Sequence, residues 1–193
     1  MRRLTIPLLA TVLLVLGGCG TKEPNPDPDQ LKSECTIDGQ EAPRWVCGLH
    51  HDAAYYAAVG TARKSKLGFG FMRTSALADA RANLAQQAAL DVKAKTTRFA
   101  RSTGLGEAET VKRVVEGVTD QASRVTLRDS WQKAYWENPA DGSIYVLVVA
   151  DRKKVYDAAK KAIVSSFRND EALWQQFQAK EALKALNETF ETK

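Results

Sequence analysis

Three cysteines carry most of the chemistry open to this sequence. A thiolate can be a nucleophile, a metal ligand or half of a disulfide, and its surroundings decide among these fates. Cys19 ends an apolar run, directly after Leu16, Gly17 and Gly18, which suits covalent modification of the thiol. Cys35 and Cys47 remain. In an oxidising compartment they are expected to form a disulfide, whose closed loop contributes about 3 kcal/mol in the chain-entropy treatment. Both histidines of the chain follow at once, in Cys47-Gly-Leu-His50-His51, and raise a metal site as the alternative. Adjacent histidines point in different directions in regular structure, and there is no second Cys/His cluster. The segment therefore reads as a disulfide beside two surface histidines, with no metal and no cofactor.

Recognisable catalytic patterns are missing: no Ser/His/Asp set, no G-x-S-x-G, no H-E-x-x-H, and no spaced glycines before a lysine and serine. Glu107 and Glu109 could pass for paired carboxylates, but they stand where a helix begins, and acids there complement the macrodipole. The chain is read as non-enzymatic, with no catalytic residues. Its formal charge is +5, from 28 basic and 23 acidic residues, and Arg2 and Arg3 account for two of the basic ones. The other charges are interspersed, without a stripe of cations and aromatics, which argues against nucleic acid as a partner. Arg63, Lys64 and Lys66 form a basic loop that could touch acidic head groups, although such a run is ordinarily just solvated. Hydrophobic residues make up 44% and charged residues 26%, the balance of a globular domain.

The N-terminus gives Cys19 its context. Met1-Arg2-Arg3 is a basic start, and Ile6 to Leu16 is an apolar core of signal-peptide length, short of the ~20 residues that span a bilayer. Leu16-Gly17-Gly18-Cys19 resembles the lipobox of bacterial lipoproteins, in which a small residue admits the signal peptidase and the thiol takes a diacylglycerol. That resemblance implies a leader over residues 1–18 and a mature chain beginning at acylated Cys19. With Gly20 rather than Asp following, it also implies sorting to the outer membrane. Each buried CH₂ of an acyl chain contributes about 0.8 kcal/mol, so several chains anchor the protein to the bilayer. Residues 19–42 then read as a linker, because Pro24, Pro26 and Pro28 remove backbone donors and Asp27 and Asp29 repel. Fully stretched at about 3 Å per residue, it would reach about 70 Å.

Residues 43–193 read as one α+β domain, a small antiparallel sheet packed by helices. "AYYAAVGTA", 54–62, predicts a strand, and "GFGF", 68–71, a turn with a packed aromatic. Over 72–102 the residues Leu77, Ala80, Leu84, Ala88, Val92 and Phe99 recur at helical steps and predict a long helix ended by Gly104 and Gly106. A second helix is expected over 107–123, a long strand over 125–137, a turn at "NPADGS" and a strand over 144–150. In that last strand both alternating sets are apolar, so something must cover both faces of the sheet, either the C-terminal helices or a partner subunit. Asp151 is the expected N-cap of a helix from 152, and Asn169 or Asp170 that of a last helix reaching about Phe190.

Two functions compete on these residues. The first is a structural or interaction protein that self-associates, favoured by the doubly apolar strand and by the chance of an unpaired strand edge. The second is a small-ligand binder with a pocket between sheet and helix lined by Tyr55, Trp131 and Trp136, although such aromatics more often belong to a core.

Several pieces in order resemble the LPP20 (LPP-twenty) lipoprotein family of bacterial outer membranes, whose relatives include flagellar assembly protein P type lipoproteins. They are the lipobox at Leu16 to Cys19, "PRWV" at 43–46, "YYAAVGTA" at 55–62, "ALADARANLAQQ" at 76–87 with "DVKAKT" after it, and "IYVLVVAD" at 144–151. The resemblance implies a strand, a long helix and then a β-hairpin in a dodecin-like layout. It also implies a non-enzymatic protein held to the outer membrane through acylated Cys19, with flagellar or other envelope proteins as partners. The Cys35/Cys47 pair and the last helix look like additions to the shared pattern.

Overall fold

The computed structural model describes residues 35–50 and 52–191. The leader expected over 1–18, Cys19 and the linker up to residue 34 lie outside the described residues. The elements run β1 (Thr36–Ile37), β2 (Gln40–Glu41), a 3-10 turn (Arg44–Cys47), β3 (Tyr55–Ala62), α1 (Phe69–Thr103), α2 (Ala108–Arg128), β4 (Trp131–Glu137), β5 (Ile144–Asp151), α3 (Arg152–Arg168), α4 (Glu171–Ala179) and α5 (Ala182–Thr189).

The doubly apolar strand sits where its pattern requires. β5 is the middle strand of the order β3-β5-β4, antiparallel to both neighbours. Its Ile144, Val146, Val148 and Ala150 join the helix-side core, while Leu147 and Val149 are equally buried on the other face. A strand covered on both sides loses the usual polar alternation. Across the helix side runs α1, with Ala76, Ala80, Leu84, Ala88 and Val92 wholly buried. Small residues let the helix lie almost on the sheet. At Gly60 of β3 an added Cβ would collide with the Ala76 carbonyl oxygen and the Ala80 nitrogen. α2 packs along α1, α3 packs on α2, and Phe99, Phe167 and Phe177 meet with ring centroids 5.5 to 6.5 Å apart, joining α1, α3 and α4.

The second face has a cover that the sequence reading did not name. β1 and β2 form a small antiparallel hairpin, Cys35 is bonded to Cys47 with their Cα atoms 5.8 Å apart, and the 3-10 turn ending at Cys47 packs on β5 and buries Val46. Asn138, fully buried at the end of β4, donates from its side chain to Asp38 in the hairpin turn at 3.1 Å. This hairpin falls within the stretch 19–42 that was expected as linker. Covering of the second face falls to this stapled segment rather than to the C-terminal helices or a partner subunit.

Other boundaries also moved. α2 continues through Val125 to Arg128, where a strand was expected, because Val118, Ala122 and Val125 carry on its buried face at helical spacing. "GFGF" is the first turn of α1 rather than a loop: Gly68 at φ 87° precedes the helix, and Phe69 and Phe71 are more than half exposed instead of packed. The expected last helix is two, α4 and α5, separated at Lys180-Glu181 with Glu181 in the left-handed region at φ 48°. The break lets Phe177 face the phenylalanine cluster while Leu186 and Phe190 join the core from α5, and it leaves Leu183 exposed.

Candidate functional site

Three side chains converge on Asp91 of α1. Tyr56 of β3 donates its hydroxyl to Asp91 Oδ2 at 2.5 Å, and Tyr156 of α3 donates to the same oxygen at 2.6 Å. The Arg152 guanidinium lies 4.4 Å from the Tyr56 ring centre, with one nitrogen 3.9 Å from Asp91 Oδ2 and another donating to the Tyr55 carbonyl at 3.3 Å. Burial, and after it the Asp91 carboxylate, push the Tyr56 hydroxyl far above its ordinary range, and Tyr156 moves up for the same two reasons. Both hydroxyls are therefore donors, held protonated at neutral pH, and neither can serve as a base. Beside them opens a cleft of about 790 Å³ whose charged lining includes Lys95, Arg98 and Arg152 on one hand and Glu188 and Glu191 on the other. Lys95 already donates to the Thr189 carbonyl at 2.9 Å. The cluster ties sheet, α1 and α3 together.

The two edges of the sheet differ. At β3 three of the outward backbone groups are taken by side chains. Thr61 N donates to Asp79 at 3.0 Å, Asn83 donates to the Val59 carbonyl at 3.3 Å, and Arg152 holds the Tyr55 carbonyl. At β4, among the described residues, no strand lies alongside and no side chain bonds to the strand backbone. A lysine often guards such an edge. Here Lys133 sits at a bulge between Gln132 and Ala134 and reaches, still exposed, over the sheet towards β3, 3.6 Å from Asp52 and 5.1 Å from the Tyr55 ring centre. Trp131 and Tyr135 stay 42% and 38% exposed on β4, and Tyr135 packs edge-on against exposed Phe69 at 5.9 Å. Exposed Leu67 and Phe71 flank Phe69 in the chain, so the open edge has an aromatic margin.

The aromatics expected to form one pocket are divided. Tyr55 and Trp131 meet edge-to-face at 5.5 Å, whereas Trp136 pairs with Tyr145 at 5.3 Å farther along the hairpin. None of the three lines either of the two largest clefts. Cys35 and Cys47 are together, as expected, and Cys47 is thereby unavailable as a metal ligand. His50 is partly buried, His51 is not among the described residues, and Cys19 is not either. The sequence reading missed the Asp91 cluster; its only trace was an acid at the border of the apolar stripe between Ala88 and Val92.

No helix among the described residues is long and apolar enough to cross a membrane. No curated protein matches the chain. The family model of the LPP20 lipoproteins matches residues 43–151, from the turn beneath the sheet to the last residue of β5. That stretch contains the whole three-stranded sheet with α1 and α2, in the strand, long helix, second helix and hairpin order seen in the structure. On that match over more than half its length, the chain belongs to the LPP20 lipoprotein family and is a membrane-anchored lipoprotein.

Proposed function

We propose that this lipoprotein is a non-enzymatic building unit of the cell envelope, anchored in the outer membrane through acylated Cys19 and joined to other copies through the β4 edge. The observation that carries the reading is the difference between the two sheet edges: Asp79, Asn83 and Arg152 hold three outward backbone groups of β3, whereas among the described residues no side chain holds the backbone of β4, which has exposed Trp131, Tyr135 and Phe69 beside it. A row of unpaired backbone groups is a template for another strand, and aromatic side chains at its margin supply buried area on pairing. The doubly apolar β5, which suggested self-association in sequence, gives no support, since both its faces are covered within the chain. The strand edge does. Flagellar-base or other envelope proteins are the further partners of such an edge.

Light scattering on the chain from residue 20 onward, which keeps every residue of the fold, should show oligomers. The variant F69K/Y135K places two charges on exposed positions of the margin and should shift the population to monomer with the circular dichroism unchanged. Strictly monomeric behaviour of the parent at high concentration would reject assembly through this edge. Mass spectrometry of the protein from membranes should find Cys19 acylated, and a bare thiol there would reject the anchoring half of the reading.

A further inference from the structure

A second cleft, of about 750 Å³, lies between α2 and α3, away from the β4 edge. Its lining carries the cations Arg128, Lys154 and Lys161, the acids Asp129 and Asp157, and the small residues Gly117, Ala158 and Ala162. Lys154 and Lys161 are seven residues apart on α3, two helical turns, and so share one face. The acids nearby are already engaged. Asp129 pairs with Arg128 at 2.9 Å, and Asp157 pairs with Lys153 at 2.7 Å and Lys160 at 3.1 Å. The hydrogen bond from Arg128 holds Asp129 below the usual carboxylate range, and that from Lys153 does the same for Asp157. Among the described residues, no acid lies within ion-pair distance of Lys154 or Lys161. Two exposed lysines without an ion pair among the described residues thus share one wall of the cleft.

Gly117 points the same way independently. Glycine inside a helix costs about 1 kcal/mol relative to alanine, and a packing neighbour normally explains it. Here an added Cβ would meet nothing within 4 Å, so no contact in the chain requires glycine. Its effect is to leave the α2 wall of the cleft without a side chain at that point.

We infer that the α2–α3 cleft binds the phosphate of an anionic phospholipid head group, with Lys154 and Lys161 as its charged contacts and Gly117 as the bare point of its α2 wall. Membership of a lipoprotein family keeps the folded head within reach of a bilayer, and phosphate is the anion a bilayer surface presents. Lysine serves phosphate as a point charge without demanding the paired geometry of arginine. Binding would lay the α2–α3 side of the head on the membrane and leave the β4 edge to other copies. The α3 wall of the cleft lies beyond residue 151, where the family match ends.

The test uses the chain from residue 20, which lacks the anchoring cysteine, and sedimentation with vesicles. Vesicles of phosphatidylglycerol with phosphatidylcholine should bind it, and phosphatidylcholine alone should not. At about fivefold per surface lysine, K154Q/K161Q should weaken binding roughly 25-fold, while K93Q/K184Q, the same charge change elsewhere, should change it less than about twofold. G117L, which puts a side chain on that bare wall, should also weaken binding without lowering the melting temperature. Equal binding to both vesicle types, equal losses in the two double variants, or an unaffected G117L would overturn the inference. So would glycerol phosphate in solution binding as tightly as the vesicles, since the ligand would then be a free phosphate. None of these substitutions touches β4, so the oligomeric state tells a failure here from a failure of assembly.

Discussion

Asp91 does at the scale of one residue what a hydrophobic contact cannot: it fixes direction. A single carboxylate oxygen takes two tyrosine hydroxyls, one from the sheet and one from α3, each otherwise a buried polar group with a desolvation cost of about 1–3 kcal/mol. The arrangement predicts a dependence on alkaline pH. In the folded chain both tyrosine pKa values are raised above the ordinary tyrosine value of 10.0, so below pH 10 both states keep the protons and the stabilisation is complete. Above it the unfolded chain releases protons that the folded one retains, and stability falls by about 1.4 kcal/mol per pH unit for each tyrosine. Urea melts of the parent and of Y56F/Y156F across that range should show the parent losing stability more steeply, and parallel curves would refute the assignment. Other residue roles were legible without a structure. Asp151 and Asp170 each precede an apolar-periodic run, and each accepts the expected capping bond, from Lys154 N at 3.1 Å and Leu173 N at 3.0 Å. A cap is local, readable within four residues. The partners of Asp91 are 35 and 65 positions away, and nothing in a helical wheel announces them.

Among the elements, the contact of α1 with β3 is the tightest and gives the sharpest mutational prediction. Gly60 is needed because helix backbone occupies the space of a side chain. Gly60→Ala should therefore force the two apart and cost about 1–3 kcal/mol, the range for overpacking a fitted core, whereas Gly117→Ala should stabilise by up to about 1 kcal/mol. Thermal denaturation of the two variants should move in opposite directions, and a neutral Gly60→Ala would contradict the close approach. Periodicity made α1 and the β4–β5 hairpin legible, since many turns of one pattern outweigh any single residue. It failed at Val125–Arg128, where β-branched residues suit strand and helix alike and the continuing face of α2 decides. It failed again at Lys180-Glu181, where neither glycine nor proline marks the break. There Lys180 donates to the Thr103 and Gly104 carbonyls at 2.9 and 3.0 Å, closing the end of α1 on which negative dipole charge collects. That contact rewards the break, and it is invisible locally.

For the molecule as a whole, the stapled N-terminal segment decides how the sheet is buried. The sequence showed that β5 needs two covers, but the second one comes from a hairpin of two-residue strands too short to register as β structure in a periodicity search. The cysteines were legible; the surface they press against was not. C35S/C47S should lower unfolding free energy by about 3 kcal/mol, as should reduction of the parent, read as an earlier urea midpoint. An unchanged midpoint would mean that the segment covers the sheet without help from the bridge. α3, α4 and α5 lie beyond the family match yet supply Ile163, Phe167, Phe177 and Leu186 to the core, so this chain's domain extends past the part it shares with the family model.

The bridge also sets how the head would respond to being pulled. Tension from a membrane anchor that reaches Cys35, the first described residue, passes through the sulfurs to Cys47 without loading the hairpin between them. From there it reaches the turn seated under the central strand, so a tug meets the middle of the sheet rather than a loose end that could peel away. Oxidation thereby turns a fragile leash attachment into a shackle.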